Sequence, residues 1–435
     1  MRLIRLLKDD IAKESAEWVA EELITQEQAE KICRKYGIAY DNGKGSSLGY
    51  HILVNLGYLF VGLAVIVLIG ANWDEIPRAL RMWCLILITL ATQGIAVRKY
   101  REGRINTAVG LFFLGNLFFG ASIVLIAQIY HLGEHMPDGI FWWAIGCLPI
   151  ALATGNSWLM LQSLLLSLIW FYLEADLGFY PLSFPLFIAG AIAVLIRSDQ
   201  NHPLFLFVTG SIGLWLESTL ALLWQKNGSL EISPEHYAIG AAYTIFVYAS
   251  GYWLRSRESH KAQDYGVLLD VWGLRFGLAS LLILSFAYPW KCLLNNQWNH
   301  LPTMGPIVGL FIGGAVWLAF RFRAPSSIPF IALVFVSAVI AVVAIQDGRY
   351  ATAFQAADNL VAVVMGIWLI IRGTRSGISH YFFLGIASIL LIAFLRYIDL
   401  IGSYVGGTIL FGFMAAVLFG AATFWRRVQR KKGTA

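Results

Sequence analysis

Residues 50–101 read YHILVNLGYLFVGLAVIVLIGANWDEIPRALRMWCLILITLATQGIAVRKYR. Two apolar runs, 50–71 and 79–97, flank a short polar turn, and a basic cluster closes the second. A bilayer core of about 30 Å takes about 20 apolar residues as a helix. Each run has that length. Every backbone polar group inside the bilayer must be satisfied within the chain, which favours helices here. The stretch therefore reads as a helical hairpin through a membrane. Trp73 suits the interface, Pro77 opens the second helix, and Asp74, Glu75 and Arg78 can pair within the turn.

Further spans are expected near 105–129, 139–154, 157–174, 180–196, 203–224, 236–254, 271–289, 303–320, 327–345, 352–371, 379–395 and 404–425. The fold class is all-α, a polytopic transmembrane helical bundle of about fourteen spans, with a range of about twelve to fourteen. The range reflects 139–154, 157–174 and 180–196, which are short enough to be tilted or re-entrant. Three parts follow: residues 1–48 as a cytoplasmic amphipathic two-helix unit with its linker, 49–425 as the transmembrane helical domain, and 426–435 as a basic cytoplasmic tail.

Composition supports this division. The chain is 58% hydrophobic and 13% charged, against about 25% charged in soluble domains. A net charge of +6 does not indicate nucleic acid, because the basic residues lie between membrane-length runs and leave no basic domain. They set topology instead. With residues 1–48 inside, 25 of the 32 Lys and Arg fall on the inner side and six on the outer. That bias alternates loop by loop, as the positive-inside rule requires, and it favours an even number of spans with both termini cytoplasmic. The four cysteines show no metal or disulfide spacing. The first 48 residues are too polar, and the first apolar run too long, for a cleavable leader.

Within residues 1–48, Leu3, Leu7, Ile11, Trp18, Val19 and Leu23 recur near helical spacing. Thr25 with Gln28 forms a capping-box pattern for a second helix carrying Ala29, Ile32 and Tyr36, and Gly37 stops it. The unit suits docking on the membrane surface, on the bundle or on a membrane or cytoplasmic protein partner. The bilayer is the partner the composition itself dictates.

Ionisable groups inside spans are costly and mark function by default. Gln355, Asp358 and Asn359 share one helix face, which must meet protein or water rather than lipid. Glu217 lies in another span, also in the outer half. Together the two acids could line a vestibule and take up a cation or proton. Arg396 and Asp399, one turn apart, read as an interfacial ion pair or part of a substrate site. Asn55, Gln93, Asn116 and Gln128 read as interhelical hydrogen bonders. Gly305, Gly309 and Gly313 form a small-residue face suited to close helix packing. Around His131, Glu134 and His135 the spacing H-x-x-E-H matches that of inverted zinc peptidases, but Gly133 and Pro137 interrupt the helix it needs. Glu174 and Asp176 are merely same-side carboxylates, so no metal is expected. No phosphate loop, dinucleotide fingerprint or nucleophile elbow occurs, and no cofactor is expected.

Several stretches resemble a known family. They are Trp18-Val-Ala-Glu-Glu-Leu-Ile-Thr-Gln-Glu-Gln-Ala29, Ala71-Asn-Trp-Asp-Glu-Ile-Pro-Arg78, Ala127-Gln-Ile-Tyr-His131, Trp142-Trp-Ala-Ile-Gly146 and Arg396-Tyr-Ile-Asp399. Over about residues 15–155 the chain resembles the bacterial membrane proteins of domain-of-unknown-function family 2157. The resemblance implies a bacterial inner-membrane protein and no particular activity or catalytic residue. It directs attention to Trp73, Asp74, Pro77, Arg78, Gln128, Tyr130, His131, Arg396 and Asp399, and His135 falls outside its pattern.

The functional expectation is transport or flipping of a small solute or envelope precursor. The alternative is a non-enzymatic scaffold or sensor that docks a partner through residues 1–48. An outer-face enzyme using His131, Glu134 or Asp74 ranks below both, because short outer loops leave little protein to build a site.

Overall fold

The computed structural model describes residues 14–16, 18–19, 21–35, 40, 48–71, 77–131, 135–224, 233–322 and 327–400, with scattered positions between 412 and 423. Among these the elements are helices, in two compact units that meet in sequence at Ile232 and Ser233.

Besides the helical positions 14–16 and 18–19, the N-terminal unit holds eight described helices. They are α1 (Gln26–Lys35), α2 (Leu48–Ala71), α3 (Arg78–Arg101), α4 (Ile105–Tyr130), α5 (Met136–Thr154), α6 (Ser157–Asp176), α7 (Phe184–Arg197) and α8 (His202–Trp224). The C-terminal unit holds α9 (Pro234–Arg255), α10 (His260–Leu284), α11 (Ala287–Asn295), α12 (Leu301–Arg321), α13 (Ser327–Ile345), α14 (Ala351–Ser376) and α15 (Ser379–Leu400), with a single 3-10 turn at Gly348–Tyr350.

Ten of the described helices are long and apolar enough to cross a membrane. The chain is an all-α polytopic membrane protein. Its outward positions are apolar, as lipid requires: Leu310, Phe320, Leu333 and Leu360 are all exposed. The segments expected at 139–154 and 157–174 are full helices of 19 and 20 residues. Of the three segments expected to be short, only α7, with 14 residues, is so. At 1.5 Å per residue it reaches about 21 Å, less than a bilayer core. The span expected at 404–425 falls largely outside the described residues.

The ninth span needed the largest correction. Its helix runs His260–Leu284 rather than 271–289, and a separate short helix, α11, follows. The polar start His260-Lys-Ala-Gln-Asp264 hid the true beginning, and Asp270 thereby moves from a loop into a helix.

Turn chemistry joins neighbours tightly. Gly155 closes α5 at φ +59, and the Asn156 side chain accepts hydrogen bonds from Trp158 N and Leu159 N to start α6. Such a two-residue join lays α5 and α6 antiparallel. At the end of α3, Lys99 and Arg98 bond Glu102 and hold its carboxyl below the usual range. The capping box is present as read: Thr25 N donates to Gln28 Oε1 at 2.9 Å, and Gln28 N to Thr25 Oγ1 at 3.3 Å. Ala29 and Cys33 turn the inner face of α1 into a fully buried one. Tyr36 and Gly37 lie outside the described residues.

The N-terminal unit centres on Leu159, Met160, Leu164, Phe184 and Phe187, all fully buried. Aromatic rings from one helix fill glycine gaps in another: Trp143 lies on Gly120, and Phe119 on Gly146. The C-terminal core joins Tyr248, Leu274, Leu278, Ala315, Leu318, Ile328, Leu369 and Tyr381. Here backbones meet directly. A Cβ on Gly266 would lie 2.5 Å from the Gly251 carbonyl, and one on Gly385 would lie 2.5 Å from that of Gly366. The expected glycine face of α12 behaves otherwise. Among the described residues, a Cβ on Gly305, Gly309 or Gly313 would meet nothing within 4 Å, and close backbone packing occurs at α9–α10 and α14–α15.

Candidate functional site

The densest polar assembly lies in the C-terminal unit, where the end of α9 meets the first half of α10, the last third of α14 and the start of α15. Asp270 is 2% exposed. Its Oδ2 accepts from Arg372 Nη2 at 2.9 Å, from the Tyr381 hydroxyl at 2.9 Å and from Arg255 Nη1 at 3.2 Å. Arg372 also donates to the Tyr248 hydroxyl at 3.3 Å and stands over the Tyr381 ring at 4.4 Å. Arg255 stands over the Tyr252 ring at 4.1 Å. Tyr248, Tyr252 and Arg255 share one stripe of α9, so the aromatic floor and the cation come from a single helix face.

Two guanidinium groups around one carboxylate leave a formal excess of one positive charge. A buried ion group of this kind fixes the register of the helices that supply it rather than adding much net stability. It holds four helices to one point. Asp270 was absent from the sequence-derived candidates because its helix was placed too late. The signal was present: an acid flanked by Gly266 and Gly273, and a Tyr-x3-Tyr-x2-Arg stripe in the preceding helix.

A second polar group lies one turn and a half into α14. Gln355 and Asp358 are buried, and Gln355 Nε2 donates to the Ser285 carbonyl at 2.9 Å. The stripe thus faces protein, as its spacing required. Asp358 Oδ2 and Asn359 Oδ1 are buried with no hydrogen-bond partner among the described residues. These are two buried acceptor oxygens on neighbouring residues of one helix.

The N-terminal unit carries two more. Gln93 Nε2 donates to Asn116 Oδ1 at 3.1 Å, and Asn116 Nδ2 donates to Gln162 Oε1 at 2.9 Å. The Trp143 indole donates to the Asn116 carbonyl at 2.7 Å. This ladder ties α3, α4, α5 and α6, and it gives Gln93 and Asn116 the interhelical role expected of them. At the other group, His135 Nε2 and Glu174 Oε2 are 3.0 Å apart, and the Trp170 indole donates to Glu174 Oε1 at 3.0 Å.

The remaining sequence candidates are dispersed. Glu217 is half-buried on α8 in the N-terminal unit, whereas Asp358 belongs to the C-terminal unit. Arg78, Gln128, Tyr130 and His131 are exposed at helix ends. His131 ends α4 in the left-handed region at φ 52, so H-x-x-E-H does not lie on one continuous helix. Arg396 lies half-buried on α15 with its guanidinium 5.7 Å from the centre of the Phe286 ring. Asp74, Glu134 and the Asp399 side chain lie outside the described residues, and so does the expected Arg396–Asp399 pair.

Residues 16–160 match the family model described as "Predicted membrane protein (DUF2157)". The DUF2157 match agrees with the resemblance read from residues 15–155 and carries the membrane assignment. It includes the amide pair Gln93–Asn116 and both His131 and His135, but ends before Glu174 and the whole C-terminal unit. No curated protein and no solved structure matches the chain.

Proposed function

We propose that the chain moves a small solute or envelope precursor across the bacterial inner membrane, with Asp358 binding a coupling cation or proton. The supporting observation is the Asp358 carboxylate itself, buried in a membrane-spanning helix with one oxygen unpartnered among the described residues. An ionisable side chain inside a span is costly and is retained where it has a partner or a role. A carboxyl retained there without a donor is well explained by a transient positive partner. Gln355 and Asn359 beside it supply neutral ligands of the kind a desolvated cation takes. In this reading both termini are cytoplasmic, as the distribution of Lys and Arg supports.

The test needs no knowledge of the solute. Proteoliposomes on a solid-supported membrane electrode receive steps of Na+ concentration or pH. The native chain gives a transient current to one of them, and Asp358→Asn abolishes it. The loop variant Asp347→Asn keeps it. A native chain silent to both ions, or an Asp358→Asn response equal to the native one, overturns the reading.

A scaffold role through residues 1–48 is the second reading. It gains from the ordered helix α1, whose outward face carries the Lys31–Glu27 pair at 2.7 Å and is polar throughout. The buried Ala29 and Cys33 leave α1 no apolar face, so a partner there would be held by charge.

A further inference from the structure

We propose that His135, Asp138 and Glu174 form a binding site for a first-row divalent transition-metal ion, of which Zn2+ is the test case. The inference is independent of the reading of Asp358, which lies in the other unit.

The tight join at Gly155–Asn156 brings these side chains together. Because α5 and α6 run antiparallel from that point, the start of α5 returns beside the end of α6. His135 is the residue just before α5, Asp138 lies in its first turn, and Glu174 lies in the last turn of α6. The three side chains each offer a ligand atom, and these atoms lie within 4.8 Å of one another. In a tetrahedral site with bonds of about 2.0–2.2 Å, ligand atoms stand roughly 3.3–3.6 Å apart. The 3.0 Å between His135 Nε2 and Glu174 Oε2 is close to that spacing. Asp138 is exposed and offers a carboxylate oxygen within that 4.8 Å cluster.

The surroundings hold the first two ligands in place. Glu174 is 7% exposed, and the Trp170 indole occupies its Oε1, which leaves Oε2 directed at His135. The His135 ring meets the edge of Phe179 at 5.3 Å and 86°. Fixing a carboxylate and an imidazole through outer partners is how metal sites set ligand direction. One imidazole nitrogen and two carboxylates suit a borderline ion better than Ca2+ or Mg2+, which prefer all-oxygen sets. Two negative charges match the ion's charge, and the exposed side beside Asp138 leaves room for water as a fourth ligand.

This site shares only His135 with H-x-x-E-H. That difference makes it separable by mutation.

The experiment uses the full chain in nanodiscs, with any polyhistidine tag removed. Equilibrium dialysis against Zn2+ should give one ion per chain in the native protein. His135→Ala and Asp138→Ala should each weaken binding at least tenfold, and His131→Ala should leave it unchanged. Tenfold excess Mg2+ should not compete. Glu174→Gln also removes the ion, and since that residue is buried, its melting curve is recorded to separate misfolding from lost ligation. Co2+ in place of Zn2+ should give a visible absorption band that vanishes in Asp138→Ala. Sub-stoichiometric binding by the native chain, binding indifferent to His135→Ala, or loss of binding in His131→Ala would each overturn the proposal.

Discussion

Arg372 Nη2 stands 2.9 Å from Asp270 Oδ2, an oxygen it shares with Arg255 and with the Tyr381 hydroxyl. The relation joins residues about a hundred positions apart in sequence and ties together four helices of the C-terminal unit. Neither guanidinium is more than one-fifth exposed. Water cannot easily replace the carboxylate once it is gone.

Asp270→Asn is therefore expected to destabilise the C-terminal unit strongly. Removing one partner of a buried pair costs about 3–5 kcal/mol, because the remaining charges stay buried and uncompensated. Arg255→Ala and Arg372→Ala act on the same oxygen: either single variant leaves one arginine on the carboxylate, whereas the double variant strands it, so the double should cost more than the two single costs added together. Thermal unfolding of the purified variants, followed by intrinsic fluorescence, measures this. Full additivity would show that the two arginines do not share Asp270 as described.

Asp270 marks the boundary between what hydropathy encodes and what tertiary burial decides. The membrane class, the helical hairpins and most helix ends were legible, because about 20 apolar residues punctuated by arginine is a physical requirement of the bilayer. The capping box at Thr25–Gln28 was legible for the same local reason. Helix α10 was not, because it opens on polar, partly exposed residues from His260 and its next turns, Asp264 to Val271, are buried by protein, so this first part need not look like a membrane span. Burial against neighbours replaces hydropathy there, and neighbours are a tertiary fact. The return of Glu174 to His135 likewise depends on the join at Gly155–Asn156, which sequence spacing alone did not turn into a site. The stripe Gln355–Asp358–Asn359 faced protein as expected, because an amphipathic pattern inside a span fixes its own orientation.

Glycine faces offer a second check, since spacing alone misled there. On Gly385 a Cβ would press the Gly366 carbonyl at 2.5 Å and Ile370 Cγ1 at 2.9 Å. Backbone cannot yield as a side chain does. Gly385→Leu should separate α14 from α15 and cost more than the roughly 1–3 kcal/mol typical of overpacking. Gly309→Leu adds a side chain where a Cβ has open space, and it should leave the melting temperature of the monomer within about a degree or two of native. Fluorescence-detected size exclusion after a heat step ranks the two. A Gly309→Leu chain as unstable as Gly385→Leu would place a neighbouring helix on the α12 face.

In the N-terminal unit, Asn116 sits at the centre of the amide ladder, 1% exposed and bonded through its side chain to Gln93 and Gln162. Truncating it to alanine removes two interhelical hydrogen bonds and strands both glutamines. Such bonds average near 0.6 kcal/mol each in membrane proteins, and reach about 1–2 kcal/mol in model helices. The stranded groups add part of their desolvation cost. Asn116→Ala is thus expected to cost about 1–3 kcal/mol. Gln162→Ala breaks only one side-chain link of the ladder, at 2.9 Å, together with the weaker 3.3 Å bond to the Phe113 carbonyl, so it should cost less. The order can be read from urea or dodecyl sulfate unfolding in mixed micelles. If Gln162→Ala proved as damaging as Asn116→Ala, the ladder would not be centred on Asn116, and the Trp143 bond to the Asn116 carbonyl, which both variants retain, would be the stronger tie between α4 and α5.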